Sequence, residues 1–339
     1  MENTINAEPK PKFHQTVFSW LLIAVFSFIA AEVVLRLLNV VTPIYDVEMM
    51  RYAKALKVRS NIENVYHQHR SDASETLMGV NVSLNSLGHR SKELVSPKPA
   101  NEKRIHVIGS SISLGWGIPV EGTFTNVMAR MLNETLSPRT GDKYVGINAG
   151  TGNYNTFYQV EHLKSQINQT NPDVVVVQYY INDAESAPEG TDSFIFRYSY
   201  FLALVRLQVR SLLSVRGTSL GDYYKALYTD DSDSWRQTRA SVKELAELCR
   251  QRGVKLVILI VPDLHDLSPG NPFFPLYRIA TDYFKKLDIS IVDPTDAIRV
   301  IFGERPTNAW VAPKDPHPNA KVHEIMGREL GAYLSTAVF

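Results

Sequence analysis

Five short apolar runs constrain this chain more than any other feature. They lie at residues 104–109, 144–148, 173–179, 254–261 and 289–293. Each is nearly continuous, without the apolar–polar alternation of a half-exposed strand, so each reads as a strand buried on both faces. Helical spacings fall between them. Phe124, Val127, Met128, Met131 and Leu132 share one helical face. So do Val242, Leu245, Ala246 and Cys249, and again Leu276, Ile279, Ala280, Tyr283 and Phe284. Strands alternating with helices in this way predict a parallel sheet covered by helices on both sides.

In such sheets function collects in the loops at the carboxyl ends of the strands. After the first run comes Gly109-Ser110-Ser111-Ile112-Ser113. This reads as a tight strand-to-helix turn, which exposes a hydroxyl and aims helix N–H groups at whatever it attacks. After the second run comes Asn148-Ala-Gly-Thr-Gly152-Asn-Tyr-Asn155, and after the third Tyr180-Ile-Asn182-Asp183. Ahead of the last helix comes Asp315-Pro-His317-Pro-Asn319. One sheet edge thus receives a nucleophile, oxyanion donors, a base and an acid to orient it.

Each of these residues also has a plainer role. Ser110 and Ser113 suit helix capping or a turn. Gly152 could serve a positive φ angle. Asn182 and Asp183 could form a turn, with Asp183 bracing the loop. His323 belongs on the final helix beside Val322, Ile325 and Met326. His265, in Pro262-Asp-Leu-His-Asp266, is the rival base. Asp263, His265 and Asp266 together hint at a metal, but nothing else supplies ligands at useful spacing.

The four loop blocks, in order, resemble those of the SGNH (GDSL-type) hydrolase superfamily, and the resemblance covers roughly residues 80–339. The apolar amino terminus followed by Asn85-Ser-Leu-Gly-His-Arg90 looks like the bacterial membrane-anchored members. The resemblance implies a flavodoxin-like three-layer α/β/α sandwich around a central parallel sheet, plus an N-terminal transmembrane helix. It implies Ser111 as nucleophile, His317 as general base and Asp315 as the residue orienting it. It further implies an oxyanion hole made of the Ser111 amide, the Gly152 amide and the Asn182 side chain, and chemistry that needs no metal or organic cofactor. Three positions depart from the family pattern. Ser110 stands where the block-one aspartate is usual, Tyr180 where a glycine precedes the block-three asparagine, and Asp315 lies two rather than three before His317.

The amino terminus is separate from the α/β pattern. Residues 1–15 form a polar tail, and 16–41 an apolar stretch long enough to cross a bilayer as an uncleaved anchor; the rival is a cleaved signal peptide with Ala30-Ala31 as its processing site. Its two charges, Glu32 and Arg36, are four apart in the order that favours a helical pair. Residues 42–98 read as a connecting region with short extended segments: Met78–Leu84 alternates like an edge strand, and Asn85–Gly88 has turn chemistry. The hydrolase domain is expected over 99–339, with an insertion at 184–234. Within that insertion the run from Ser193 to Val205, followed by Arg206 and Arg210, reads as a helix packed on the body. Its sharper alternative is a lid or membrane-surface helix. Tyr223–Asp233 reads as an exposed loop.

Composition removes other classes. A formal charge of +1 over 339 residues leaves no electrostatic footprint for nucleic acid. A single cysteine, Cys249, excludes an internal disulfide framework. The charges flanking the apolar stretch leave its orientation open, and the resemblance implies a domain outside the cytoplasm, in the periplasm. The expected protein is a membrane-anchored acylesterase acting on short, acetyl-like esters of a cell-envelope saccharide. The alternatives are an O-acyltransferase on the same substrates, a lipase-like esterase and a non-catalytic relative that binds a glycan. The sequence carries no sign of oligomeric state.

Overall fold

A computed structural model of the chain describes residues 13–186, 198–214 and 219–339. The polar tail expected at 1–15, save its last three residues, lies outside the described residues. So do the stretch Ser193–Arg197 of the insertion and the side chain of Arg210.

The expected parallel sheet is present. Three short antiparallel pieces flank it in the chain. β1 (Lys57–Arg59) pairs with β2 (His67–His69), and β3 (Ser74–Leu77) pairs with β4 (Val80–Ser83). The central strands are β5 (Glu102–Ile108), β6 (Lys143–Asn148), β7 (Val174–Tyr179), β8 (Lys255–Ile260) and β9 (Ser290–Val292). They run parallel in the order β6-β5-β7-β8-β9. This is the doubly wound order in which the chain reverses direction across the first strand, opening a crevice at the carboxyl ends of β5 and β7. β10 (Trp310–Ala312) and β11 (Asp315–Pro318) form a separate hairpin that delivers His317.

Burial on both faces explains the unbroken apolar runs. Val175, Val177 and Tyr179 of β7, with Leu256, Ile258 and Ile260 of β8, enter one core. Val174, Val176, Val257 and Leu259, which alternate with them, enter the other. Helices Thr156–Thr170, Asp233–Gln251 and Phe274–Lys286 cover the first face, and Phe124–Thr135, Thr295–Phe302 and Ala320–Ala337 the second. Three layers result, with two cores (the three-layer α/β/α sandwich). The first strand starts two residues earlier than the apolar count suggests. Glu102 and Arg104 are both buried there and pair at 2.7 Å, so charge neutralised inside the strand hid its start.

Two expectations are corrected. Ile279 is 41% exposed, and Tyr277 takes its place in the core with its hydroxyl donating to the Val261 carbonyl at 2.8 Å. Tyr223–Asp233 is not an exposed loop. A helix spans Leu220–Leu227, and Tyr224 and Tyr228 are buried because their hydroxyls find partners: Glu185 for the first, Tyr179 and the Ile181 carbonyl for the second. The edge-like strand expected in Met78–Leu84 is present as β4. It is one arm of the β3–β4 hairpin, whose turn residues Met78 and Gly79 both have positive φ, at 50° and 77°.

Two compact units divide the chain. One joins Met1–Met50 with Asp192–Arg216, the other Arg51–Thr191 with Gly217–Phe339. The α/β unit therefore begins near residue 51, not at 99, and the supposed connecting region belongs largely to it. In the first unit a 29-residue helix, Phe13–Val41, contains a 26-residue apolar stretch, Thr16–Val41, whose most apolar 18-residue window has a mean hydropathy of 2.4 and is not buried. At 1.5 Å per residue, 26 residues reach about 39 Å, enough to cross a bilayer core. The insertion helix Tyr200–Ser214, expected to pack on the body, packs on helix Phe13–Val41 within this same unit. Glu32 is the reason. Its carboxylate accepts hydrogen bonds from the Tyr200 and Phe201 amides at 3.1 and 3.0 Å and from Ser199 Oγ at 3.0 Å. It thus satisfies the orphan donors at that helix start while pairing with Arg36.

Candidate active site

Three serines crowd the turn after β5, and their surroundings separate them. Ser110 is the N-cap of a one-turn helix, Ser111–Leu114, that Gly115 ends with φ 78°. The Ser110 hydroxyl does not cap it. Ser110 N, Ser110 Oγ and Ser113 Oγ all donate to one oxygen, Gln178 Oε1 of the neighbouring strand β7, at 3.1, 3.2 and 3.3 Å. Both serines are buried and used up. Gly109 makes the arrangement possible, since a Cβ there would sit 2.1 Å from Ser113 Oγ and 2.8 Å from Gln178 Oε1. Gln178 was not singled out in the sequence because a lone glutamine in a valine-rich run reads as strand interior. Its three donors would have identified it only once β5 and β7 were known to be neighbours.

Ser111 alone faces the Asp–His loop. Its Oγ lies 2.8 Å from His317 Nε2, and His317 Nδ1 lies 2.6 Å from Asp315 Oδ1. A carboxylate accepts only, so Nδ1 carries the proton, Nε2 presents its lone pair and the serine hydroxyl donates to it. Asp315 is 2% exposed. Its second oxygen accepts from Trp116 Nε1 at 3.1 Å, and its first also accepts the His317 amide at 3.2 Å. Two-residue spacing closes this geometry because β11 is extended, so that residues 315 and 317 fall on the same side of it. Trp116 is the orienting partner the sequence reading missed; it sits on the same turn as the serines, five residues after Ser111.

The expected oxyanion donors divide. The Ser111 amide is first in its helix and has no acceptor among the described residues. Asn182 is exposed in a 3-10 turn, Ile181–Ala184, directly after β7, and its side-chain amide likewise has no partner there. Gly152 is the correction. Its N–H donates to the Tyr52 hydroxyl at 2.8 Å and is not open to a substrate. Nor does Gly152 have a positive φ; the residue that does is Asn153, at 67°. Gly152 is glycine because Tyr52 Cε1 would lie 2.7 Å from a Cβ.

A clamp built from residues 52–69 holds that peptide. Tyr52 Oη lies 2.7 Å from His69 Nε2, and His69 Nδ1 lies 2.9 Å from the Gly88 carbonyl. Carbonyls only accept, so the donor order runs from Gly152 N–H to Tyr52, from Tyr52 to His69, and from His69 to Gly88. On the other side, the Gly152 carbonyl accepts from Lys57 Nζ at 2.6 Å and His67 Nε2 at 3.0 Å. Burial pushes Lys57 down to about 7 and both His67 and His69 down to about 3, which keeps the imidazoles neutral. Arg90 does the same work for the nucleophile turn. Its buried guanidinium donates to the carbonyls of Leu114, Gly115, Ile118 and Asn81 at 2.8–2.9 Å. Burial lowers it to about 10, still charged at neutral pH.

The remaining candidates have clear places. Asp183 is buried and braces its loop, accepting from the Tyr180 amide at 2.6 Å and Gln159 Nε2 at 2.8 Å. His323, on the last helix, accepts the Phe124 amide at 3.1 Å and stacks on that ring. His265 Nδ1 bonds Asp263 Oδ1 at 2.7 Å, while the serines at the turn bond Gln178 and His317. Asp266 binds the Ser268 amide at 2.8 Å instead of joining them.

No family model and no curated protein matches the chain. Solved structures to which it is similar include TesA, at 14% identity and a TM-score of 0.44, covering 68% of this chain and 98% of that one. A lipase/acylhydrolase from Enterococcus faecalis is similar at 15% identity and a TM-score of 0.43, covering 68% and 95%. A catalytic mutant of an acetylxylan esterase from Geobacillus stearothermophilus is similar at 16% identity and a TM-score of 0.42, covering 70% and 94%.

Proposed function

We propose that the chain is a membrane-anchored serine ester hydrolase of the SGNH type. The observation that carries the reading is the line of hydrogen bonds from Trp116 through Asp315 and His317 to Ser111, ending at a helix start on the sheet edge. Ser111 Oγ attacks the acyl carbonyl as His317 Nε2 takes its proton. The oxyanion is held by the Ser111 amide and the Asn182 side chain. Breakdown expels the alcohol, which takes the proton back from His317. Water, deprotonated by the same imidazole, then attacks the acyl-serine and releases the acid. A sugar hydroxyl in place of water turns hydrolysis into transfer by the same steps.

The acyl group is short and its carrier a hydrated saccharide of the cell envelope. The exposed loop residues at this edge, Asn153 and Asn182, support this, since amides at a site disfavour a long chain that cannot pair with them. Helix Phe13–Val41 anchors the chain in the membrane, with the α/β unit outside the cytoplasm. The test is a chain-length series of aryl esters on the detergent-solubilised protein. Turnover peaks at acetyl or propionyl and falls steeply by octanoyl, and a fluorophosphonate labels Ser111. A maximum at long chains removes the saccharide carrier; absence of labelling removes the esterase.

A further inference from the structure

The molecule contains a second Asp-x-His unit that the mechanism does not use. Asp263 follows β8 and His265 lies two residues on, the same spacing as Asp315 and His317. The wiring repeats as well. Asp263 is buried, and its Oδ1 accepts from His265 Nδ1 at 2.7 Å and from the Tyr180 hydroxyl at 3.1 Å. Tyr180 thus stands to Asp263 as Trp116 stands to Asp315. The difference lies at the other ring nitrogen: His317 Nε2 meets Ser111, whereas the His265 side chain is 55% exposed and its Nε2 has no partner among the described residues.

Its position is informative. Tyr180 is two residues before Asn182, on the loop after β7. On the other side the His265 ring lies 5.3 Å, edge to face, from Trp310. Trp310 opens β10 and pairs with Pro318, next to His317. Its indole N–H is already given to the Leu264 carbonyl at 2.9 Å, so what it offers a ligand is an apolar ring surface. The open imidazole therefore stands between the loop of Asn182 and the hairpin of His317.

We propose that His265, oriented by Asp263 and flanked by Trp310, is a positioning residue that binds a hydroxyl of the saccharide carrying or accepting the acyl group. A hydroxyl is the group that the matching nitrogen of His317 already binds. It also fits either protonation state, donating to the neutral ring and accepting from the charged one, whereas a carboxylate would fit only the latter. The hydrogen bond to Asp263 raises the His265 pKa above its ordinary value. Trp310 supplies the surface against which the C–H face of a pyranose packs. The inference rests on the esterase reading and names the carrier subsite of that same site.

The experiment uses the full chain in detergent with two esters, 4-nitrophenyl acetate and methyl 6-O-acetylglucopyranoside. His265→Ala raises KM for the glucoside about tenfold, leaves its kcat within about twofold, and changes neither constant for the aryl acetate. His265→Gln, which retains a hydrogen-bonding end, recovers part of the loss. An equal loss on both esters, or no change in glucoside KM, overturns the assignment. Saturation-transfer NMR with Ser111→Ala separates the two readings. The glucoside signal disappears in Ser111→Ala/His265→Ala if the subsite is right, and persists if it is wrong. Absence of turnover by the unaltered protein counts against the esterase alone.

Discussion

The Asp315–His317 and Asp263–His265 pairs are built alike and end differently. Each has a buried aspartate two residues before a histidine, a 2.6–2.7 Å bond to Nδ1 and an aromatic donor on the same carboxylate group. One faces Ser111, and the other faces solvent. An Asp–His pair is therefore only the orienting half of a catalytic device. The group that meets Nε2 decides what the pair does, and that group comes from a different part of the chain.

The largest test of this contrast is at Ser111. Ser111→Ala lowers kcat on 4-nitrophenyl acetate at least about 10⁴-fold. Ser113→Ala lowers it by less than about tenfold, because Ser113 is tied to Gln178. Reversal of the two would make the buried serine the nucleophile. Next, Asp315→Asn lowers kcat by about 10³- to 10⁴-fold through the wrong imidazole tautomer, while Asp263→Asn leaves the aryl ester within about threefold. Comparable losses at both aspartates would mean that the second pair serves the chemistry itself.

A smaller effect sharpens what surrounds the closed pair. Tyr52→Phe strands the buried Gly152 N–H and costs about 1–3 kcal/mol of stability, read from urea unfolding, with kcat within about twofold. A large gain in kcat would restore the Gly152 amide to the oxyanion hole. The smallest effect separates the histidines by pH. The His265 titration midpoint, read by NMR, lies above 6.5 and drops in Asp263→Asn. Its contribution to stability is present below 6.5 and is lost as pH rises through that midpoint. His67 and His69, held near 3, contribute in the opposite sense. The unfolded chain takes up protons that they refuse, so stability falls between pH 6.5 and about 3, by up to about 1.4 kcal/mol per pH unit for each. His69→Gln flattens that slope; an unchanged slope would mean that His69 is already protonated when folded.

How much of this could be read in the sequence follows from the range of each interaction. The five strands were legible because burial on both faces leaves a local mark, a run such as Val174–Val177 with no polar partner. Ser111, Asn182, Asp315 and His317 were legible as candidates because each follows a strand or precedes a helix within a few residues. What the chain order could not reveal is which distant groups occupy a candidate's hydrogen bonds. Tyr52 takes the Gly152 amide from 100 residues away, and Gln178 takes Ser110 and Ser113 from 68 and 65 away. Tyr180, which looked like an oddity in a glycine position, is the donor that orients Asp263.

The sequence by itself determined the parallel sheet, the apolar N-terminal helix and the edge at which reactive residues collect, since periodicity and strand–loop order are local properties of the chain. Only the tertiary structure decided which serine faces an imidazole, that residues 51–98 clamp the site, and that the helix of the insertion joins the N-terminal helix through Glu32. Those outcomes depend on which polar groups meet when the layers close. A buried donor takes whichever acceptor the packing presents, whatever their separation along the chain.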